Sequence, residues 1–391
     1  MRKTMKKIVA TILTAAMAMT VGMPAFAEES GENDENELKT KVSAYVQNWV
    51  NENYTEHYTL SDYQSQITGF NLQDDNIEAH LLVEVYTTLK YNSVDELPYM
   101  QGVKSVTGVN SVETLLLSPN AVENSALNKI DGIELTETQK ISFLKKVYEQ
   151  FEDVSACIGV PTLLTVDFVV KADIDNSELK NVRLFEESGG ILFPAKPFDT
   201  ARELQNKSAA KLTSYLKSDE SKISITTSTR AGGYDRVAAR DYANKYTSNG
   251  TNACKCGSIA GGSSGGVNYD KWNNSKYPYQ TIFCHNDCAD FVSQALAAGG
   301  IPTNSSWERG TNAWQVSRYL CEYMVNNDYA IETTFDDCVA GHMVKMTTYS
   351  NHMVLCTLND TIDHRYSGHT NDRLNAKLNN VSSWVYYRIT Y

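Results

Sequence analysis

Ser218 to Gly233 reads SDESKISITTSTRAGG, a stretch with few large apolar side chains and a Gly-Gly end. A segment this poor in core-forming residues cannot cross a hydrophobic interior, so it divides the chain into two regions that each need their own core. Residues 217–233 are therefore predicted to be a linker, with an N-terminal region at 38–216 and a C-terminal region at 234–391. The length of 391 residues accommodates two domains.

The start of the chain carries an expectation about the compartment. Met1 to Lys7 is basic, Ile8 to Met23 is apolar and rich in alanine, and Pro24-Ala25-Phe26-Ala27 follows. Ala25 and Ala27 form the small-x-small pattern of a signal-peptidase site. Residues 1–27 are expected to be a secretory signal peptide cleaved after Ala27, giving a secreted, extracellular or cell-wall-associated protein. No later stretch reaches 18 consecutive apolar residues, so no membrane span is expected. Loss of the leader removes four bases and no acids, taking the net charge from −12 to −16. That balance argues against nucleic-acid binding, which needs clustered Lys and Arg.

Residues 28–37 are acidic and polar and are expected to be disordered. Beyond them, Val42, Tyr45, Val46, Trp49 and Val50 recur at helical spacing. Thr138 to Phe151 reads as a helix. Ala79 to Tyr91, Thr162 to Ala172 and Ile191 to Pro194 read as strands. This mixture predicts a separate N-terminal α+β domain, and no chemical motif occurs in it.

The C-terminal region carries the chemistry. Asp235 is placed to cap a helix running to Tyr246. Gly257 to Gly266 forms a glycine loop without the Gly-Lys-Ser/Thr ending of a phosphate loop. Then Asn286-Asp287-Cys288 leads into Ala289 to Leu296, with Gly299-Gly300 beyond. Asn286 or Asp287 suits an N-cap and the glycines suit a stop, so Cys288 falls in the first turn of a helix. Unpaired N–H groups there favour an anion, which predicts a thiol of lowered pKa. Such a nucleophile needs a base. His352 opens the β-type run His352 to Leu358 after a polar turn, and His369 follows a strand expected at Ile362 to Tyr366. No Gly-x-Ser-x-Gly elbow and no His-Glu-x-x-His pair occurs, which disfavours a serine hydrolase and a zinc protease.

Several of these pieces carry a resemblance. Arg240-Asp241-Tyr242-Ala243, Asn286-Asp287-Cys288-Ala289-Asp290-Phe291-Val292-Ser293-Gln294-Ala295-Leu296 with Gly299-Gly300, Trp307, Trp314, Ser350-Asn351-His352-Met353-Val354 and Tyr366 to Arg373 occur in the order of one family. Residues 234–391 resemble the bacterial putative amidase domain, grouped with papain-like cell-wall cysteine hydrolases near the CHAP-type amidases and peptidases. The resemblance implies a papain-like α+β fold, with the cysteine on a helix packed against an antiparallel sheet. It implies hydrolysis of an amide bond in peptidoglycan or another peptide, without cofactor or catalytic metal. It assigns Cys288 as nucleophile, His352 as general base and His369 as the third, orienting residue. Asp372 or Asn371 could take that last role, and Asp287 and Asn286 support the cysteine as cap or oxyanion shaper. Gly341-His342 stands where relatives have Gly-Asp, which adds a histidine near the site. That departure leaves room for a catalytically inactive wall-binding or adhesion module on the same fold.

Eight cysteines, at 157, 254, 256, 284, 288, 321, 338 and 356, permit a different reading. Cys254, Cys256, Cys284 and Cys288 could staple a binding module around zinc, although Cys-x-Cys is tighter than the usual ligand spacing. The tryptophans are expected in the core rather than on a substrate platform.

Overall fold

The computed structural model describes residues 29–218, 233–249, 268–280, 286–348, 351–370 and 372–391, with side chains from residue 34 onward. The segment expected to be a signal peptide, most of the expected linker, the glycine-rich stretch, Cys254, Cys256, Cys284, His285 and Asn371 lie outside the described residues.

The N-terminal region runs α1 (Glu29–Tyr54), β1 (Tyr58–Gln73), β2 (Asn76–Leu89), α2 (Pro98–Thr107), α3 (Val112–Leu116), β3 (Lys129–Ile130), β4 (Ile133–Glu134), α4 (Glu137–Ser155), β5 (Thr162–Asp175), β6 (Glu178–Ser188), β7 (Ile191–Pro194) and α5 (Ala201–Lys217). The C-terminal region follows with α6 (Arg236–Lys245), α7 (Cys288–Ala298), α8 (Asn312–Gln315), α9 (Ser317–Asn326), β8 (Ala330–Thr333), β9 (Met343–Met346), β10 (His352–Asn359), β11 (His364–Gly368), β12 (Arg373–Lys377) and β13 (Val385–Ile389).

Helix α1 forms because Val42, Val46, Val50 and Tyr54 make one stripe, each fully buried against β2 and β5. Its start corrects an expectation. Residues 28–37 were to be disordered, yet the helix begins at Glu29. Glu35–Lys39 and Glu37–Lys41 pairs one turn apart lie along this polar turn. Helices α4 and α5 each open with a capping box, Thr136 with Gln139 and Thr200 with Glu203.

The two regions are not separate. One sheet of the described residues runs β1-β2-β5-β12-β11-β10-β9-β13-β8, with β6 and β7 continuing from β5. Strand β5 serves two neighbours on one edge. Its far half pairs antiparallel with β6, and Thr165 pairs parallel with Ala376 of β12. Side chains fasten this seam. Arg365, fully buried, donates through Nε to Asp363 (3.1 Å), and through its terminal nitrogens to the Leu163 carbonyl (2.7 Å), Thr162 Oγ1 (3.0 Å) and Thr87 Oγ1 (2.8 Å). Arg373 forms a two-point pair with Asp167 at 2.7 and 2.9 Å. The linker's poverty in apolar residues thus marks a change of region and not a break between independent cores.

Strands β8 to β13 are antiparallel among themselves. Helices α6, α7 and α9 cover one face, packing Ala239, Phe291, Val292, Leu296 and Leu320 onto Met343, Met353 and Leu355. Trp307 and Trp314 belong to this core, their rings 4.8 Å apart. No helix of the described residues is long and apolar enough to cross a membrane.

Candidate active site

Cys288 is the first residue of α7 and is only half-buried, while Phe291, Val292, Ala295 and Leu296 anchor the helix in the core. The helix ends at Gly299, and Gly300 takes a left-handed φ of 99°. Asp287 occupies the N-cap position, but its side chain makes no capping bond. Its Oδ2 instead meets His369 Nδ1 at 2.8 Å. Asn286 is exposed at the turn before it.

The thiol has three hydrogen-bonding neighbours, the Ser317 hydroxyl at 3.7 Å from Sγ and the backbone N–H groups of Met353 and Ala289. Burial raises its pKa, the nearby Asp287 charge adds to that, and the three neighbours pull the other way. The prediction of a lowered pKa from the helix start alone is therefore corrected. The first turn is packed into the protein, so desolvation outweighs the helix dipole.

His352 is the first residue of β10, directly before Met353. Its ring accepts and donates no hydrogen bond among the described residues. Burial pushes its pKa down to about 4, with the charge of His369 adding to the effect. Its imidazole is consequently neutral at neutral pH. The neighbouring strand comes close because Gly368 has no side chain. A Cβ there would lie 2.8 Å from Val354 Cγ1 and 3.7 Å from His352 Nε2.

His369 follows β11 and is buried, stacked on Phe291 with ring centroids 4.0 Å apart. Its Nδ1 faces the Asp287 carboxylate and its Nε2 faces the Tyr246 carbonyl oxygen at 2.5 Å. A carbonyl only accepts, so Nε2 carries a hydrogen, and one more proton is held between Nδ1 and Oδ2. Burial alone would lower this histidine, but the charges of Asp287 and Asp372 raise it to about 9. The partner carboxyl is pushed up by burial against the pull of His369. The rise of His369 to about 9 is what favours the shared proton on the imidazole at neutral pH. Both ring nitrogens are thereby engaged, and His369 orients Asp287 rather than the ring of His352. Asp372 is buried, accepts the Asn268 N–H at 2.9 Å, and is raised to about 6 by burial.

Behind Cys288, Asp290 is fully buried and accepts from Gln294 Nε2 (2.7 Å) and Trp314 Nε1. Tyr242 donates to Gln294 Oε1 at 2.6 Å, tying α6 to α7. The fold thus places Cys288 against Met353, the residue after His352, and sets His369 beside Asp287 and Asp372. Ser317 joins them without any signal in the sequence beyond a serine near a helix start. His342 does not join them. It was expected near the site, but it lies at the opposite end of β9 from Met346, the residue that pairs with His352. There it is buried, and Val339 N–H donates to its Nδ1 at 3.3 Å. Gly341, at φ 87°, is fixed by its neighbours, since a Cβ would meet the Arg236 backbone at 2.9 Å.

Among the described residues no cluster of His, Cys, Asp or Glu has the form of a metal site. Cys157, Cys288, Cys321, Cys338 and Cys356 are free thiols. Compared with known proteins, residues 233–391 match the family model of the putative amidase domain. No match was found among curated proteins or among solved structures. The family description points to a hydrolase acting on amides.

Proposed function

We propose that this protein is a secreted cysteine amidase or peptidase that cleaves an amide bond in peptidoglycan, with a papain-like arrangement in its C-terminal region. The observation that carries this reading is the position of Cys288. A half-buried thiol starts a helix and lies against the start of β10, where a neutral histidine, His352, precedes the residue whose N–H reaches the sulfur. The signal-peptide pattern supports secretion, and the family resemblance supports a cell-wall substrate.

In this mechanism His352 takes the thiol proton as Sγ attacks the carbonyl carbon. The carbonyl electrons pass to oxygen, and N–H groups of the first turn of α7 are placed to hold that oxyanion. Collapse expels the amine, which leaves with the proton from His352. Water then attacks the thioester and gives a proton to His352, and collapse releases the carboxylic acid and the sulfur, which takes that proton back from His352. The imidazolium of His369, fixed by Asp287, keeps the base of the site polar and rigid.

The test is digestion of purified peptidoglycan by the full chain beside Cys288→Ala, with mass analysis of the fragments. Release by wild type and at least a thousandfold loss in the variant is expected, from removal of the nucleophile. Equal release by both proteins overturns the thiol mechanism. Absence of release by both, with both folded, overturns the substrate and favours the wall-binding reading.

A further inference from the structure

Ser317 is the first residue of α9, and Val316 before it has the extended backbone of a helix entry. The serine is buried, and its side chain has one polar neighbour among the described residues, the sulfur of Cys288 at 3.7 Å. That is hydrogen-bonding distance for sulfur. A buried hydroxyl without a partner is costly, so the sulfur is also what satisfies Ser317. When Cys288 is a thiol, the hydroxyl can donate or accept. When it is a thiolate, the hydroxyl can only donate.

We propose that Ser317 is a catalytic residue, whose hydroxyl donates to Cys288 Sγ and stabilises the thiolate formed before attack. This deepens the reading above, since it takes Cys288 as the nucleophile. The surroundings explain why such a donor is needed. On α7 the thiol has Asp287 directly before it, which is unfavourable to a second negative charge, and Asp290 in the same turn. From β10 the Met353 N–H reaches it, and His352, which is neutral, is the residue before Met353. Beyond β11 stand the Asp287-paired His369 and Asp372. Arg309 approaches Asp290 at 3.8 Å. On α9 itself the neighbouring Arg318 is exposed and paired with Glu322 at 2.7 Å. Of the groups that reach the sulfur, the Met353 N–H, the Ser317 hydroxyl and the Ala289 N–H offset burial, and only the serine is a side chain. In the catalytic cycle the donor makes no new covalent bond. It holds its proton throughout, and the thiol proton goes to His352.

The experiment is the pH dependence of Cys288 alkylation by iodoacetamide in the full chain, followed by mass analysis of the Cys288 peptide. Wild type, Ser317→Ala and Ser317→Thr are compared, with thermal melts showing that each is folded. A hydrogen bond to a charged acceptor predicts that the alanine variant moves the midpoint up by about one pH unit. The thiolate population at pH 7 then falls about tenfold, and greater intrinsic nucleophilicity recovers roughly threefold, leaving a three- to fourfold slower reaction. The threonine variant, which keeps the hydroxyl, is expected to stay near wild type. Superimposable wild-type and alanine profiles overturn the proposal, and so does an equal shift in both variants. The readout needs no turnover, so it separates this role from the identity of the substrate. Amide hydrolysis that survives Cys288→Ala refutes the functional reading and leaves the alkylation result to stand by itself.

Discussion

At the scale of single residues the least expected feature is the use made of Asp287. A carboxylate before the first helical residue should cap the helix, and here it pairs with His369 inside the protein instead. The pairing gives a prediction with a definite pH dependence. The pKa of His369 rises from the ordinary 6.5 to about 9 on folding. The stability it contributes is fully present below pH 6.5 and is lost as pH rises through about 9. Asp287→Asn removes the charge partner, and breaking a buried ion pair from one side costs about 3–5 kcal/mol. Urea unfolding at several pH values should show the variant weakened at pH 7, with a shallower loss between pH 7 and pH 10. A variant that loses stability over that range as steeply as wild type would show that His369 is not held by Asp287. The residue types of this site were legible in the sequence, because Cys, His and Asp announce themselves and the helix signals around Cys288 were clear. Their partners were not. Which nitrogen of His369 meets which acceptor depends on the turn after β11, where Thr370 takes a positive φ of 79° and accepts the Asp287 N–H. Ser317 is ordinary until α9 is laid beside α7.

Among elements, α7, β10 and α4 follow from periodicity and caps, and the structure keeps them within a few residues of the pattern. Strand β11 was expected at Ile362 to Tyr366 and runs two residues later, because Asp360 to Asp363 form a turn stitched by Asp360 Oδ1 to the N–H groups of Ile362 and Asp363. A turn held by an aspartate is hard to separate from a strand when the next residue is isoleucine. The same pair of strands carries a second prediction. Gly368 lets β11 approach β10 beside His352, and a methyl group there would lie 2.8 Å from Val354 Cγ1. Valine is stiff at χ1 and buried, so the strand must move instead of the side chain. Gly368→Ala should destabilise by about 1–3 kcal/mol, the usual cost of overpacking. It should also lower amide hydrolysis by shifting His352. Thermal melts with parallel turnover measurements check both, and unchanged values would mean that the strands are not locked at this spacing.

On the scale of the whole molecule, the chain was legible as two regions and not as one sheet. Periodicity reports which residues of a strand are buried, but it does not report which strand lies alongside. The parallel contact of Thr165 with Ala376 joins residues more than two hundred positions apart. What makes the junction more than contact is Arg365. Its guanidinium is buried with Asp363 on its own side of the seam, while Thr87, Thr162 and Leu163 supply acceptors from the other. Without the N-terminal region, one carboxylate would remain for a cation with five donors, and the edge of β12 would be open. Arg373 would lose Asp167 and Arg236 would lose Asp153 at the same time. A buried charge stripped of partners costs several kcal/mol, a large share of the roughly 5–15 kcal/mol that holds a typical domain folded. The full chain should therefore unfold in a single calorimetric transition, with calorimetric and van't Hoff enthalpies in agreement. Residues 233–391 expressed alone should melt well below it or without cooperativity. Two resolved transitions in the full chain, or a fragment that melts at the full-chain temperature, would show that the seam is a contact between independent domains. The single transition would mean that the N-terminal region, which carries no chemical motif, supports the C-terminal sheet whose strand β10 lays Met353 against Cys288.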